Sequence, residues 1–274
     1  MKSLLTALST AAALTTLATT AHAQRTDAEW LEQCRDQRHW SSRGDDARFC
    51  DVRTTTLGAL RALNVDGREN GAVAVRGWDG ADIRVSARIQ ANARSEADAR
   101  EIASRIRVNT SGGTIHADGP ARERGANWSV SYEIMVPRRM DVRVDTHNGP
   151  IAVQDVTGRM TLHAQNGPLA LRRVGGAVNA RVQNGPITVE LAGNRWNGEG
   201  LDAESVNGPV QLSIPRDYSA RLEVGTTHGP VSLDIPLAEG YRGGRHVNTV
   251  LGSGGAPIRV VTTNGPLVVR RTDR

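Results

Sequence analysis

The sequence predicts an all-β chain whose short strands stack as a β-solenoid, a β-helix-like column of repeats, with one short helix. Three observations lead there. The triplet Asn148-Gly149-Pro150 returns as Asn166-Gly167-Pro168 and Asn184-Gly185-Pro186 at 18-residue intervals. It recurs as Asn207-Gly208-Pro209 after 23 residues, His228-Gly229-Pro230 after 21 and Asn264-Gly265-Pro266 after 36, twice the basic period. Apolar residues alternate with polar ones on both sides of every triplet, and the longer intervals carry insertions, "AGNRWNGEG" and "AEGYRGGRHVNTVLGSGG".

The chain opens with "MKSLLTALSTAAALTTLATTAHAQ", in which Lys2 precedes an apolar, small-residue run ending in Ala21-His22-Ala23. This is the pattern of a secretory signal cleaved after residue 23, leaving Gln24 first. No later stretch has the length and apolarity of a membrane span. Residues 24–55 then hold both cysteines, Cys34 and Cys50, in "LEQCRDQRHWSSRGDDARFCD". In an oxidising compartment such a pair reads as one structural disulfide. A redox or metal role lacks C-x-x-C spacing and a ligand cluster, since only His39 lies between. Trp30 and Trp40 flank Cys34 and are expected to pack as core or cap residues.

From residue 56 to 274 the chain reads as a single β-strand-repeat domain. Its first part is irregular: Val73 and Val75, then Ile83, Val85 and Ala87, then Val130, Tyr132 and Ile134 alternate as strands. "TSGGTIHADGP" resembles a worn turn followed by a strand. In "SEADAREIASRIRV", Ser95 and Asp98 form an imperfect capping box, and Ala99, Ile102, Ala103 and Ile106 share one helical face. This helix is expected to cover part of the sheet or its open end.

The regular part follows. Two, four and six residues before each Asn stand Thr146, Val144 and Val142; then Ala164, Leu162 and Met160; then Val182, Ala180 and Val178. After the turns come Ile151 and Val153, Leu169 and Leu171, Ile187 and Val189. Period-two alternation over such short runs marks half-buried strands. Asn-Gly suits a corner where the backbone takes positive φ, and Pro suits the first residue of the next strand. Two architectures satisfy the pattern: stacked coils, or an antiparallel meander curled into a barrel or sandwich. The near-constant period and the placement of insertions at one point of the repeat favour stacking.

"RFCDVRTTTL", "VRGWDGADIRV", "SEADAREIASRIRV", "WSVSYEIMVPRRMDVRVDTHNGPI", the turn triplets and "TTNGPLVVRR" together resemble the bacterial putative-adhesin domain family of unknown function. Its members are exported β-strand-repeat proteins with Asn-Gly-Gly or a variant at these turns, from which Asn-Gly-Pro departs. The resemblance runs from about Cys50 to Arg270. It implies a β-solenoid-like domain in a cell-envelope or extracellular setting, and it brings no catalytic residues.

Charge narrows the function further. Lys and Arg number 34 against 29 Asp and Glu, and the sole lysine, Lys2, lies in the signal. Arginine and acid are interspersed, a solvated mixed surface with no basic block of the kind that holds nucleic acid or another polyanion. On a solenoid, a lyase or hydrolase site would line up carboxylates and a cation; Asp145, His147, His163 and Arg181 are the candidates, with His228 in the fifth triplet. Each also fits an outward polar position, and fold alone argues for no chemistry. Histidines are scattered singly, calcium-loop spacing is absent, and no nucleotide-binding glycine signature occurs. The sequence therefore predicts no catalytic residue, metal or cofactor. It points to a non-enzymatic envelope module, structural or adhesin-like, whose partner is an envelope or extracellular protein or glycan. The alternative is a carbohydrate-active enzyme on the same scaffold.

Overall fold

The computed structural model describes residues 26–36, 47–235 and 244–273. The expected signal segment, Trp40 and the first six residues of the second insertion lie outside the described residues. Along the chain come α1 (Asp27–Asp36), β1 (Ala47–Leu57), β2 (Ala62–Asp66), β3 (Val73–Trp78), β4 (Ile83–Ala93) and α2 (Glu96–Arg105). Then follow β5 (Arg107–Asn109), β6 (Thr114–Asp118), β7 (Asn127–Pro137), β8 (Asp141–Asn148), β9 (Ile151–Gln154), β10 (Thr157–Asn166) and β11 (Leu169–Arg172). The repeats continue as β12 (Gly175–Asn184), β13 (Ile187–Glu190), β14 (Gly200–Asn207), β15 (Val210–Pro215), β16 (Ala220–His228) and β17 (Val231–Leu233). The chain closes with β18 (His246–Leu251), β19 (Pro257–Asn264) and β20 (Leu267–Thr272).

These strands build two ten-stranded sheets, ordered β1-β4-β7-β3-β9-β11-β13-β15-β20-β17 in sheet A and β18-β16-β19-β14-β12-β10-β8-β2-β6-β5 in sheet B. Neither closes into a barrel. Each rung gives one strand to sheet B, turns at its Asn-Gly-Pro corner, and gives the next strand to sheet A. Equivalent residues pair in parallel: Met160 meets Val142 on one side and Val178 on the other, and Leu169 meets Ile151 and Ile187. Every second residue therefore stacks on its counterpart inside. Val144, Leu162, Ala180, Ala203, Val260 and Val224 form one buried row, facing Val153, Leu171, Val189, Leu212 and Val269 from sheet A. Stacked rows of small and medium aliphatics bury apolar area with little void, which is the main stabilising term of such a core.

The rungs do not stack in chain order. The last one, β19–β20, lies between β14–β15 and β16–β17, so Asn264 sits between Asn207 and His228. The 36-residue interval is thus a return inward and not two successive coils. The second insertion supplies the reason: it contains β18, which pairs antiparallel with the outer side of β16, leaving only the inner side for β19. The other end repeats the device. β7 slots between β3 and the antiparallel β4, so the rung β6–β7 lies outside β2–β3, which precedes it in sequence.

Helix α2 lies where expected. Ser95 accepts a bond from the Asp98 amide at its N-terminus, and Ala99 and Ala103 are buried. It covers the core side of β1 and β4, beyond the last strand of sheet B, and Arg53 on β1 donates to the carbonyls of Ala103 and Ile106 at its C-terminus. A cation there also meets the negative end of the helix dipole. Helix α1 is a second helix that the sequence reading missed; its pattern is weak and polar. A disulfide from Cys34 to Cys50 ties it to the outer face of sheet A, and Asp27 bonds Ser86 and Arg88 there.

Candidate interaction surface

The Asn-Gly-Pro corner has a different logic from the one its composition suggests. The Asn residues end their strands without positive φ; at the corners it is Gly167, Gly185 and Gly265 that take it, at 155–159°, and among the described residues the non-glycine positions with positive φ are Arg68, Asp155 and Arg173. Each Asn instead joins a ladder along the axis. The Nδ2 of Asn148 donates to Oδ1 of Asn70 at 3.2 Å, Asn166 to Asn148 at 2.9 Å, and Asn184 to Asn166 at 2.8 Å. Asn207 continues to Asn184 and Asn264 to Asn207, both at 2.9 Å. Asn70 was missed in the sequence, because "GREN" followed by Gly71-Ala72 lacks the proline. His228 takes the equivalent place beside Asn264 at the far end.

Glycine is required by close approach. A Cβ on Gly185 would stand 2.3 Å from the carbonyl oxygen of Gly167, and one on Gly208 2.1 Å from that of Gly185. The same contact runs through Gly149, Gly167, Gly229 and Gly265. Four of the corner carbonyls are satisfied from inside by buried hydroxyls: Thr146 donates to Gly149, Ser205 to Gly185, Thr262 to Gly208 and Thr226 to Gly265. This explains the polar residue two places before Asn in four of the six repeats, since a buried acceptor without a partner is costly. Proline lacks an N–H, but its carbonyl accepts from the next rung, as in Leu169 N–H to Pro186 and Ile187 N–H to Pro209.

From Asn148 to Asn264 the resulting ridge is uncharged apart from its histidines; at the Asn70 end Glu69 stands beside the ladder, paired with Arg122. Beside the ladder run His147, Gln165, Gln183, Val206 and Thr263, and on its other side the exposed prolines 150, 168, 186, 209 and 266. Beyond these, sheet A turns outward the small row Ala74, Ala152, Ala170, Thr188 and Gln211. Each inner ladder amide, at Asn148, Asn166, Asn184 and Asn207, uses one of its two N–H donors and one lone pair along the axis, leaving one of each for a partner. Rung spacing repeats this offer about every 4.8 Å.

Sheet B's outer face carries the charge, tied across rungs. Asp202 accepts from Arg181 at 2.6 Å and from Arg259 at 2.7 Å, and Arg259 also reaches Glu204 and Glu223. Burial works to raise the Asp202 pKa, but the two guanidiniums outweigh it and hold the carboxyl below its ordinary range. At the opposite corner Arg173 clasps Asp155 through two bonds of 2.7 and 2.8 Å, which lowers the Asp155 pKa.

Asp145, His163 and Arg181 do share a row on this face, on three neighbouring strands. Asp145 and His163 approach to 3.9 Å, but His163 is half exposed and Asp145 one-third exposed. Arg143 reaches Asp145 from the same strand at 2.8 Å, and Arg181 turns away to Asp202. An open face of this kind gives no water-excluded volume in which a carboxylate pair could be tuned for acid–base work. His147 stands apart, beside the ladder, and His228 ends it. Among the described residues no group of three or more His, Cys, Asp or Glu could hold a metal ion, and no helix is long and apolar enough to cross a membrane.

A two-sheet parallel β-solenoid with a regular, largely uncharged corner defines the class: a stacked-repeat protein that presents surfaces. Residues 138–270 match the family model described as Toastrack DUF4097, a β-solenoid-like domain. Over that stretch the match bears out the resemblance drawn from the turn triplets. The chain is also similar in structure to a putative cell adhesion protein from Clostridium sporogenes, with 10% identity, a TM-score of 0.44, and 82% of this chain and 100% of that one covered. A putative adhesin from Bacteroides fragilis aligns at 12% identity and a TM-score of 0.38, over 81% of this chain and 97% of that one. A putative lipid binding protein from Parabacteroides distasonis aligns at 8% identity and 0.34, over 81% and 96%. No curated protein matches the chain.

Proposed function

We propose that this chain is an exported, non-enzymatic β-repeat protein of the cell envelope, a structural or adhesin-like module that meets its partner along the Asn-Gly-Pro ridge. The partner is an envelope or extracellular protein or glycan. One observation carries the reading. The charged groups of sheet B are spent on one another across open rungs, whereas the corner repeats the same unspent amide donor and acceptor beside exposed proline. The signal-like residues 1–23 and the Cys34–Cys50 disulfide support export.

Photo-crosslinking in the producing cell tests it. A crosslinker at Gln183, on the ridge, is expected to capture an envelope partner, while one at Arg143, on the charged face, is not. Capture from Arg143 alone, or recovery of the protein with its first 23 residues from the cytoplasm, would overturn the proposal. So would polysaccharide cleavage that Asp145→Asn abolishes, the outcome expected of a carbohydrate-active enzyme.

A further inference from the structure

Four strands end the two sheets. β5 and β17 have three residues each, β18 has six and β1 has eleven. A strand edge is a row of unpaired N–H and C=O groups, and chains blunt it by shortness, proline, lysine or a bulge. β1 has none of these. It pairs with β4 without interruption from Ala47↔Ala93 to Leu57↔Ile83, contains no Pro or Lys, and shows three exposed threonines, Thr54, Thr55 and Thr56. Helix α1 lies on one of its faces and α2 on the other. Neither takes a strand's place beside it, and among the described residues β4 is its sole strand neighbour.

We propose that β1 of a second copy occupies this edge, antiparallel about a two-fold axis at Val52. The two sheets A then form one continuous sheet of twenty strands. An isologous contact needs a self-complementary strand, and β1 is one. Centred on Val52, the register sets Asp51 opposite Arg53 of the second copy, twice over. It pairs Val52 with Val52, Phe49 with Thr55 and Arg48 with Thr56. Within one copy Arg53 already bonds Asp51 at 3.1 Å, so the dimer joins two such pairs into a cluster of four alternating charges. Shifting the axis one residue either way, to Asp51 or to Arg53, sets Asp against Asp or Arg against Arg. Like charges directly opposite destabilise a pair of strands. The charge pattern therefore selects one register, and it leaves both copies with their ridges running away from a shared centre.

Sedimentation of the purified protein is expected to give twice the mass of one chain. Thr56→Lys, at an exposed position, opposes Arg48 of the second copy and is expected to give a monomer that still unfolds in one cooperative transition, at a melting temperature that no longer rises with protein concentration. Adding Arg48→Glu to it restores the dimer. Spin labels on Thr55→Cys are expected about 20 Å apart, from six residues of strand at about 3.4 Å each. An axis at Asp51 would give about 27 Å and one at Arg53 about 14 Å by the same rise. A monomeric wild-type protein at tens of micromolar, a dimer indifferent to Thr56→Lys, failure of the charge swap, or either of the other distances overturns the proposal.

Discussion

The middle of this solenoid and its two ends answer different problems. From β8 to β15 each strand finds an equivalent strand on both sides, and one short pattern specifies aliphatic core, corner and ladder together. At the ends there is no next rung, and the chain abandons parallel order. It runs past its neighbour, lays down an antiparallel strand outside, β4 at one end and β18 at the other, and then threads a later strand back inside. The lesson is that a repeat encodes its own propagation and not its termination. Termination uses antiparallel pairing, helix α2 and the disulfide-tied α1.

The largest expected break in that contrast is removal of residues 257–274. Although terminal in sequence, β19 and β20 are internal in both sheets, and without them β14 and β16 lose a shared partner, as do β15 and β17. The truncated chain is expected to lose its cooperative unfolding transition by calorimetry, whereas fraying of an ordinary terminal rung would leave one.

Next comes the ladder of glycines. Gly185→Val drives a side chain into the Gly167 backbone and is expected to cost about 4 kcal/mol or more in denaturant unfolding. Gly58→Ala, beside which nothing lies within 4 Å, should stay within about 0.5 kcal/mol. Equal costs would show that the stacked corners give way freely.

At the N-terminal end, reducing Cys34–Cys50 opens a loop of sequence separation 16 and is expected to cost about 3 kcal/mol by chain entropy. A loss of helix signal with the sheets intact, seen by circular dichroism, would place that cost in α1. Within the middle, Asn184→Ala removes two exposed ladder bonds and is expected to cost about 1 kcal/mol, against roughly half for Asn264→Ala, which removes the one bond shown for it.

The smallest effect concerns acid. Because Arg173 lowers the Asp155 pKa in the folded state, this pair stabilises the protein above the ordinary carboxylate pKa, about 3.9, and the gain is lost as pH falls through the lower folded value. Asp155→Asn should therefore flatten part of the fall in melting temperature below about pH 4. An unchanged slope would show that the clasp contributes nothing.

Much of the fold was legible because the regular rungs repeat a local rule. Val142, Val144 and Thr146 announce an inward face by period two, and Met160 or Val178 at the same phase announces stacking. Helix α2 was legible through its cap and its alanine face. Helix α1 was not, since its burial rests on Cys34 and on bonds from Asp27 to distant strands. The ridge was half legible. Asn, Gly and Pro were located by number, but the reason for Asn lay in side chains 18 to 78 residues apart, which no local turn rule contains. Asn70 escaped because its rung shares the geometry without the proline. Of the candidates Asp145, His147, His163 and Arg181, all but His147 fall on one row in the structure, and spacing could not show how open that row is.

By itself the sequence determined the period, the strand phase, the disulfide pair and the all-β class, because alternation and turn chemistry act over a few residues. Only the tertiary structure decided the order of the rungs, the asparagine ladder and the long bare edge of β1. Those depend on which strands compete for the same neighbour, and that competition is settled across the whole sheet.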